Sequence, residues 1–482
     1  MNGEAATGPF LARLARAERR LADHAAQPVP SGSLTDPDPG GTERWEAGQV
    51  WAHLAEFPAY WLGQVQAVLA ARDGGADEPI PFGRTKADAE RIAAIERERH
   101  TTPGELLERV RGDLARVREA AEALPASAWE VRGQHPTMGE MPVARIVEHF
   151  IVEHLEEHAD QLDGLELVTI EEIREAAARI RGAAVRTPLL RWDDRTWLKP
   201  ESLQPVGAFK MRGAYNTIAG LTDEERSRGV VTYSSGNHAQ AVARAARLLG
   251  TRATIVMPEN APRVKVEGVR RDGAEIIFTG PSSGERHRIA LDLVAEQGSV
   301  MIEPYDDRRI IAGQGTAGLE IAEDLPDVTS VLIPVSGGGL SAGIATAVKA
   351  LAPQARVIGV EPELAADARE SLAAGEVVSW DASLTTRTMA DGLRVEHLGR
   401  LPFIHLRRFM DEIVTVTEDQ MVDAIRRLAH GARLVAEPSG AAAMAAHLSG
   451  AAPQPEGDDR RVIVISGGNI DPATLAEFLV SG

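Results

Sequence analysis

Apolar residues recur with helical spacing over residues 8–25, 45–72, 104–124 and 142–163, separated by breaks rich in Pro, Gly and Asp. The segment 29–41, dense in Pro and Gly, reads as a loop. Four such runs predict an all-α four-helix bundle over residues 1–165. From residue 168 the pattern changes. An amphipathic helix over 170–182 is followed by short apolar runs at 230–234, 253–257, 274–278, 328–335, 356–360 and 461–465, most of them leading through a turn into a helical pattern. This alternation predicts an α/β unit over residues 168–482 with open, mostly parallel sheets. Such sheets place ligands at the carboxyl ends of their strands, so the loops that follow the strands are where chemistry is expected.

In the last helix of the bundle Val147, Ile151, Leu155 and Leu162 make one stripe. At 100° per residue His154 and His158 fall inside it, about 40° apart, and His149 falls on the opposite face. His53 lies beside the stripe Val50, Leu54, Phe57 and Trp61. Three inward histidines, two of them spaced i, i+4, suit a divalent metal with one open position; they equally suit buried imidazoles that satisfy one another or a carbonyl. The sequence leaves both readings open.

Lysine is scarce. Lys86, Lys199, Lys210, Lys265 and Lys349 are the five among 52 basic residues, so a chain that writes Arg for positive charge has kept Lys for a reason at some positions. Lys210 stands between Phe209 and Met211, after Gly207 and Ala208. Apolar neighbours lower a lysine pKa and free the neutral amine that condenses with a carbonyl, which Arg does not do.

The loops after the strands are unusual. Val230–Ser234 leads into Ser235-Gly236-Asn237-His238, small polar groups at a helix start that suit a carboxylate or serve as an ordinary cap. Val331–Val335 leads into Ser336-Gly337-Gly338-Gly339, where successive glycines let backbone N–H groups approach a phosphate. No Lys-Ser/Thr follows, so this is no P-loop, and the spacing is not that of a dinucleotide fingerprint. Val462–Ser466 ends in Gly467-Gly468-Asn469, with the Ser466 hydroxyl at the strand end. The loops 437–441 and 388–392 add polar groups beside glycines, and the acidic run 361–367 could hold a hard cation or simply be solvated.

Composition narrows the setting. A net charge of −19 argues against a nucleic-acid groove or an anionic membrane surface. No apolar run has the length of a membrane span, and the N-terminus has no signal-peptide pattern. Without cysteine the chain has no disulfide, no thiolate ligand and no Cys nucleophile, which fits a cytoplasmic location.

Two resemblances follow from these residues. Trp51-Ala-His53-Leu-Ala-Glu-Phe57 and His154-x-x-x-His158 resemble the DinB-like bundle family, which includes metal- and thiol-dependent enzymes. The resemblance implies Zn²⁺ or Ni²⁺ on His53, His154 and His158, in a module that is catalytic, thiol-linked, or confined to docking or metal sensing. Residues 168–482 resemble the fold-type II pyridoxal-phosphate enzymes of the threonine/serine dehydratase and serine racemase branch. That resemblance implies a large subdomain over about 168–228 and 307–482 and a small one over about 229–306. It implies that Lys210 carries the covalent imine to pyridoxal 5′-phosphate, with Phe209 flanking the ring, Ser336, Gly337, Gly338 and Gly339 holding the phosphate, Asn237 near the 3′-oxygen, Glu437 at the cofactor and Ser466 at the pyridine nitrogen. Ser336 departs from the usual four glycines. Ser234, Ser235, His238 and Arg286 would face the amino-acid substrate, and Glu361, Asp367 and the Ala365 carbonyl would hold Mg²⁺ or another divalent cation. The implied reaction is loss of water from L-threonine or L-serine, giving a 2-oxo acid and ammonia. Ser235, as an acid/base opposite Lys210, leaves racemisation or dehydration of 3-hydroxyaspartate open. The family implies a homodimer. The chain ends soon after Asp471, so neither a C-terminal regulatory domain nor isoleucine feedback is expected.

Overall fold

The computed structural model describes residues 3–27, 29, 32–37, 42–75, 78–234, 236–280 and 283–480, and the chain divides into two units, 1–167 and 168–482.

In the first unit the predicted runs form the helices Gly3–Ala25, Ala47–Leu54, Phe57–Asp73, Pro103–Ala123 and His154–Glu166, the last continuing a π-helical turn over Glu148–Glu153. The start of Pro103–Ala123 is written locally: Thr102 accepts from the Glu105 N–H, while Glu105 reaches back to the Thr102 N–H. Leu14, Leu21, Val50, Leu54, Leu106, Leu114, Ile151, Leu155 and Leu162 form the core, all fully buried. The described part of the 29–41 segment has neither helix nor strand; the rest of it lies outside the described residues. The all-α expectation needs correction. A helix over Ala89–Glu98 and a three-stranded sheet of Ile80–Pro81, Arg132–His135 and Gly139–Pro142 also belong to this unit. Burial alternates along Arg132–His135, but the inward pair is Gly133 and His135, so no apolar alternation announces the strand.

The second unit holds two sheets. The larger runs in the order Glu412–Val416, Arg356–Pro362, Ser330–Pro334, Arg461–Ile465, Thr196–Pro200, Leu190–Arg191, parallel throughout except for the last pair. The smaller, wholly parallel, runs Glu275–Thr279, Ala253–Pro258, Val230–Tyr233, Val300–Met301. Strand side chains alternate between two cores. Leu332, Ile358, Ile463 and Ile465 enter one, while Val331, Ile333, Val357, Val462 and Val464 enter the other. Both faces are covered by helices, which is why these strands read as unbroken apolar runs.

The helix Arg308–Asp324 packs against both Lys210–Ala219 and Gly339–Leu351. The approach is close: a Cβ on Gly343 would stand 2.3 Å from the Ile311 carbonyl oxygen. Arg212, fully buried, ties this assembly together. Its Nε lies 2.7 Å from Glu201 and its Nη1 2.7 Å from Glu320, and Lys199 Nζ meets Glu320 at 2.6 Å. Buried ions left unpaired cost several kcal/mol, so these four side chains hold one another in place two residues from Lys210.

Candidate active site and metal centres

Lys210 is the first residue of its helix, and the preceding turn fixes where it starts. Gly207 takes φ +70°, Ala208 bridges Gly467, and the Phe209 N–H donates to the Ser466 carbonyl at 3.1 Å. The helix is thereby stitched to the carboxyl end of the strand Arg461–Ile465. Lys210 Nζ donates to the Pro304 carbonyl at 2.6 Å and lies 5.1 Å from the Phe209 ring centroid. Burial lowers its pKa from 10.5 to about 8.

Ser336 to Gly339 bridge the strand Ser330–Pro334 and the helix Gly339–Leu351. Gly338 has φ +91°, open to glycine at little cost. A Cβ on Gly337 would stand 2.3 Å from the Tyr305 ring. The N–H groups of Gly337, Gly338 and Gly339 donate to no acceptor among the described residues. They make a helix N-terminus with orphan donors, suited to an anion.

Asn237, first residue of the helix Asn237–Leu249, donates to Glu437 at 2.5 Å and accepts from Asn469 at 2.8 Å. Glu437 also faces Lys265, and burial raises its pKa against the pull of that ammonium. The Ser466 side chain is buried, and its hydroxyl has no hydrogen-bond partner among the described residues. Ser234 accepts from the Gly236 N–H at 3.2 Å. Ser235 lies outside the described residues. His238 turns Nε2 to the Ile302 carbonyl at 3.1 Å, and burial, with the charge of Lys210, lowers its pKa to about 3. Arg286 is buried on the helix Ser283–Gln297, with Glu396, Glu285 and Tyr233 as electrostatic neighbours. The Glu437 N–H donates to the Gly467 carbonyl at 3.1 Å, so Lys210, Phe209, Ser466, Glu437 and Asn237 are linked through the turn at Gly467, while Ser234 and Arg286 each keep neighbours of their own.

Glu361 is the last but one residue of the strand Arg356–Pro362 and accepts from the N–H groups of Ala368 and Arg369. Asp367 starts the next helix, and its Oδ2 is buried without a hydrogen bond. Burial raises both carboxyls, Glu361 well above its usual range and Asp367 to about 7, and the Asp367 charge adds to the upward push on Glu361. Ala365, between them, is buried.

In the first unit the three histidines converge. His53 Nε2 and His158 Nε2 lie 3.0 and 3.1 Å from His154 Nε2. His158 Nδ1 is 2.8 Å from Gln161 Oε1, and Trp45 stacks on its ring. His149 pairs instead with Glu153, on the other face.

A model of the DinB superfamily matches residues 13–162, and a model described as pyridoxal-phosphate dependent enzyme matches residues 180–467. The L-threonine ammonia-lyase of Thermotoga maritima is 43% identical over 324 residues, covering 66% of this chain and 79% of the relative. The chain belongs to the pyridoxal-phosphate dependent enzyme family. A serine racemase of Oryza sativa subsp. japonica is 41% identical, covering 64% of this chain and 93% of the relative. The crystal structure of a threonine deaminase from T.th. superposes with a TM-score of 0.59 at 42% identity, covering 63% of this chain and 99% of that one.

The residues present fit the cofactor of this pyridoxal-phosphate dependent family. An amine with a depressed pKa, three orphan N–H groups and an unbonded Ser466 hydroxyl are the groups an aldehyde, a phosphate and a ring nitrogen would engage. Sequence reasoning missed Tyr305 against Gly337, Pro304 against Lys210, Trp45 and Gln161 around the histidines, and Lys265 against Glu437. Of these, only Lys265 carried a signal, the rarity of lysine.

Proposed function

We propose that this protein is a pyridoxal-phosphate-dependent ammonia-lyase that removes water from L-threonine or L-serine, yielding a 2-oxo acid and ammonia. The observation that carries the reading is the Lys210 amine, desolvated and unpaired with any carboxylate among the described residues, in one network with Ser466 and Asn237. Bound pyridoxal phosphate supplies the electron sink for the substrate α-carbon. The protein supplies placement and proton traffic. Gly337, Gly338 and Gly339 hold the phosphate with backbone N–H groups. The loop Ser234–His238 receives the substrate carboxylate, with His238 neutral, and Arg286 faces the substrate. Lys210 Nζ, its pKa lowered by burial to about 8, takes up the α-proton. Ser466 offers a hydroxyl, which does not hold a proton on a ring nitrogen as a carboxylate would. A less electron-withdrawing ring suits prompt loss of the β-hydroxyl.

A second reading, an amino-acid racemase, is favoured by Ser235 and by the 41% identical relative named serine racemase. Chiral analysis of products from L-threonine, L-serine and 3-hydroxyaspartate separates the two: a 2-oxo acid and ammonia support the lyase, and inverted substrate without ammonia rejects it. Ser235→Ala should abolish inversion while sparing elimination from the L-substrate.

In the second unit we also place a divalent cation, Mg²⁺ or similar, on Glu361, Asp367 and the Ala365 carbonyl, and in the first unit Zn²⁺ or Ni²⁺ on His53, His154 and His158. The larger sheet belongs to a subdomain of about 168–228 and 307–482, the smaller to one of about 229–306. A homodimer in the cytoplasm completes the reading.

A further inference from the structure

Lys265 has no part in the reading above, yet it is 1% exposed. It projects from the helix Arg263–Arg271, which follows the strand Ala253–Pro258 of the smaller sheet. Its Nζ lies 2.6 Å from Asp391 Oδ2 and 3.1 Å from Glu437 Oε2. Both carboxylates come from segments attached to the larger sheet: Asp391 from the short turn Asp391–Leu393 and Glu437 from the residue before the helix Pro438–Ser449. A buried ion pair is weak evidence of a stability device, because desolvation offsets most of its attraction; fixing one arrangement is the better-attested role.

The arrangement it fixes runs to the cofactor network. Glu437 Oε1 accepts from Asn237 Nδ2 at 2.5 Å, and Asn237 Oδ1 accepts from Asn469 Nδ2 at 2.8 Å, which also donates to the Val206 carbonyl at 2.8 Å. Every bond in this chain has one polarity, and the polarity depends on Glu437 Oε1 being an acceptor, while Glu437 Oε2, buried without a hydrogen bond, faces the Lys265 ammonium as an ion pair. Glu437 is 2% exposed and has Asp391 for a neighbour, two influences that favour a protonated carboxyl. Lys265 is the cation that opposes them. A proton on Glu437 Oε1 would be a donor facing the donating Asn237 amide, and one on Oε2 would face the Lys265 ammonium and leave Oε1 a weaker, uncharged acceptor for Asn237.

We propose that Lys265 is a positioning residue: by facing Glu437 it keeps that side chain a carboxylate and so locks the Asn237 amide with Nδ2 toward Glu437 and Oδ1 toward Asn469. One Asn237 Nδ2 hydrogen then remains for the cofactor. The inference rests on the reading that pyridoxal phosphate binds at Lys210.

The test is a double-mutant cycle on the holoenzyme with Lys265→Met, Glu437→Gln and their combination. Cofactor affinity is read by equilibrium dialysis, and the bound cofactor by its absorption spectrum. Lys265→Met should weaken cofactor retention at least about fivefold and change the spectrum, while in the Glu437→Gln background the same change should do neither. In cofactor-free protein, Lys265→Met should add a fall in thermal stability as the pH rises above the ordinary carboxylate range, since folded Glu437 would then hold a proton that the unfolded chain releases. The groups facing Glu437 are Lys265, Asp391 and Asn237, and the added slope should vanish in the double variant. Should Lys265→Met not fold, Glu437→Gln alone carries the test, because it must alter the spectrum with Lys265 intact. Unchanged affinity, spectrum and slope in either variant, or equal effects of Lys265→Met in both backgrounds, would overturn the proposal. Borohydride trapping of wild type without mass added at Lys210 would instead reject the cofactor reading, leaving the slope in cofactor-free protein to judge Lys265.

Discussion

Lys210 and Pro304 are joined by a single hydrogen bond, amine to carbonyl, 2.6 Å long, and no carboxylate among the described residues stands within ion-pair distance of that amine. A neutral acceptor holds the nitrogen without holding its charge, so desolvation alone sets the pKa near 8. Acylation of the cofactor-free protein at Lys210 should therefore rise about tenfold per unit below pH 8 and level off above it, whereas an ordinary lysine would keep rising toward pH 10.5. Linkage gives the same sign. The unfolded chain binds the extra proton between pH 8 and 10.5, so wild type should gain stability over that window relative to Lys210→Met. Lys210→Ala should remove the visible absorbance of bound cofactor and lower turnover by about 10² or more; retained absorbance and turnover would be incompatible with the reading.

The glycine cup offers a steric test. Ala at position 337 would put its Cβ into the Tyr305 ring, and Ala at 338 would meet Pro402 Cβ at 2.6 Å while holding a left-handed φ of +91°. The left-handed conformation alone costs about 1–2 kcal/mol for a residue with a Cβ. Both variants should lose cofactor affinity at least about tenfold in equilibrium dialysis, and Gly337→Ala combined with Tyr305→Ala should recover part of it.

The sequence disclosed those parts of the fold that are local. Val230–Tyr233 and Arg461–Ile465 are apolar runs closed by Ser and Gly, and their strands lie where the runs lie. Thr196–Pro200 is just as central, yet it contains Lys199 and ends in Pro, which reads as an exposed turn. Lys199 is fully buried because Glu320, 121 positions away, and the Thr187 carbonyl satisfy it. Nothing local encodes that pairing. The site divides in the same way. Lys210 and the glycine loop announce themselves by residue type, whereas Tyr305 against Gly337 and Lys265 against Glu437 exist only once the two sheets are assembled.

Asp367 leaves Oδ2 buried and unbonded while both Glu361 oxygens accept backbone N–H groups, so two carboxyls share a buried site in which burial and mutual repulsion disfavour their charged forms. A hard cation would offset both effects. Adding Mg²⁺ to chelator-treated protein should raise Tm by several degrees, and Asp367→Asn should abolish the response while making the cation-free protein more stable. A Tm indifferent to Mg²⁺, Ca²⁺ and Mn²⁺ would remove the site.

His158 gives the sharpest expectation for the first unit. Gln161 Oε1 only accepts, so the 2.8 Å contact puts the proton on His158 Nδ1 and leaves Nε2 a bare lone pair aimed at His154. A neutral imidazole whose outer nitrogen is fixed by a hydrogen bond is in the state a metal needs. Wild type loaded with Zn²⁺ or Ni²⁺ should retain about one ion per chain after dialysis, and His154→Ala should retain none, with ammonia release from L-threonine unchanged. Gln161→Leu should keep the three nitrogens but weaken retention about 10–100-fold, since the tautomer is no longer set. If His154→Ala keeps its metal, the ion lies elsewhere; if wild type takes up none, the three rings are a hydrogen-bonded cluster of the core.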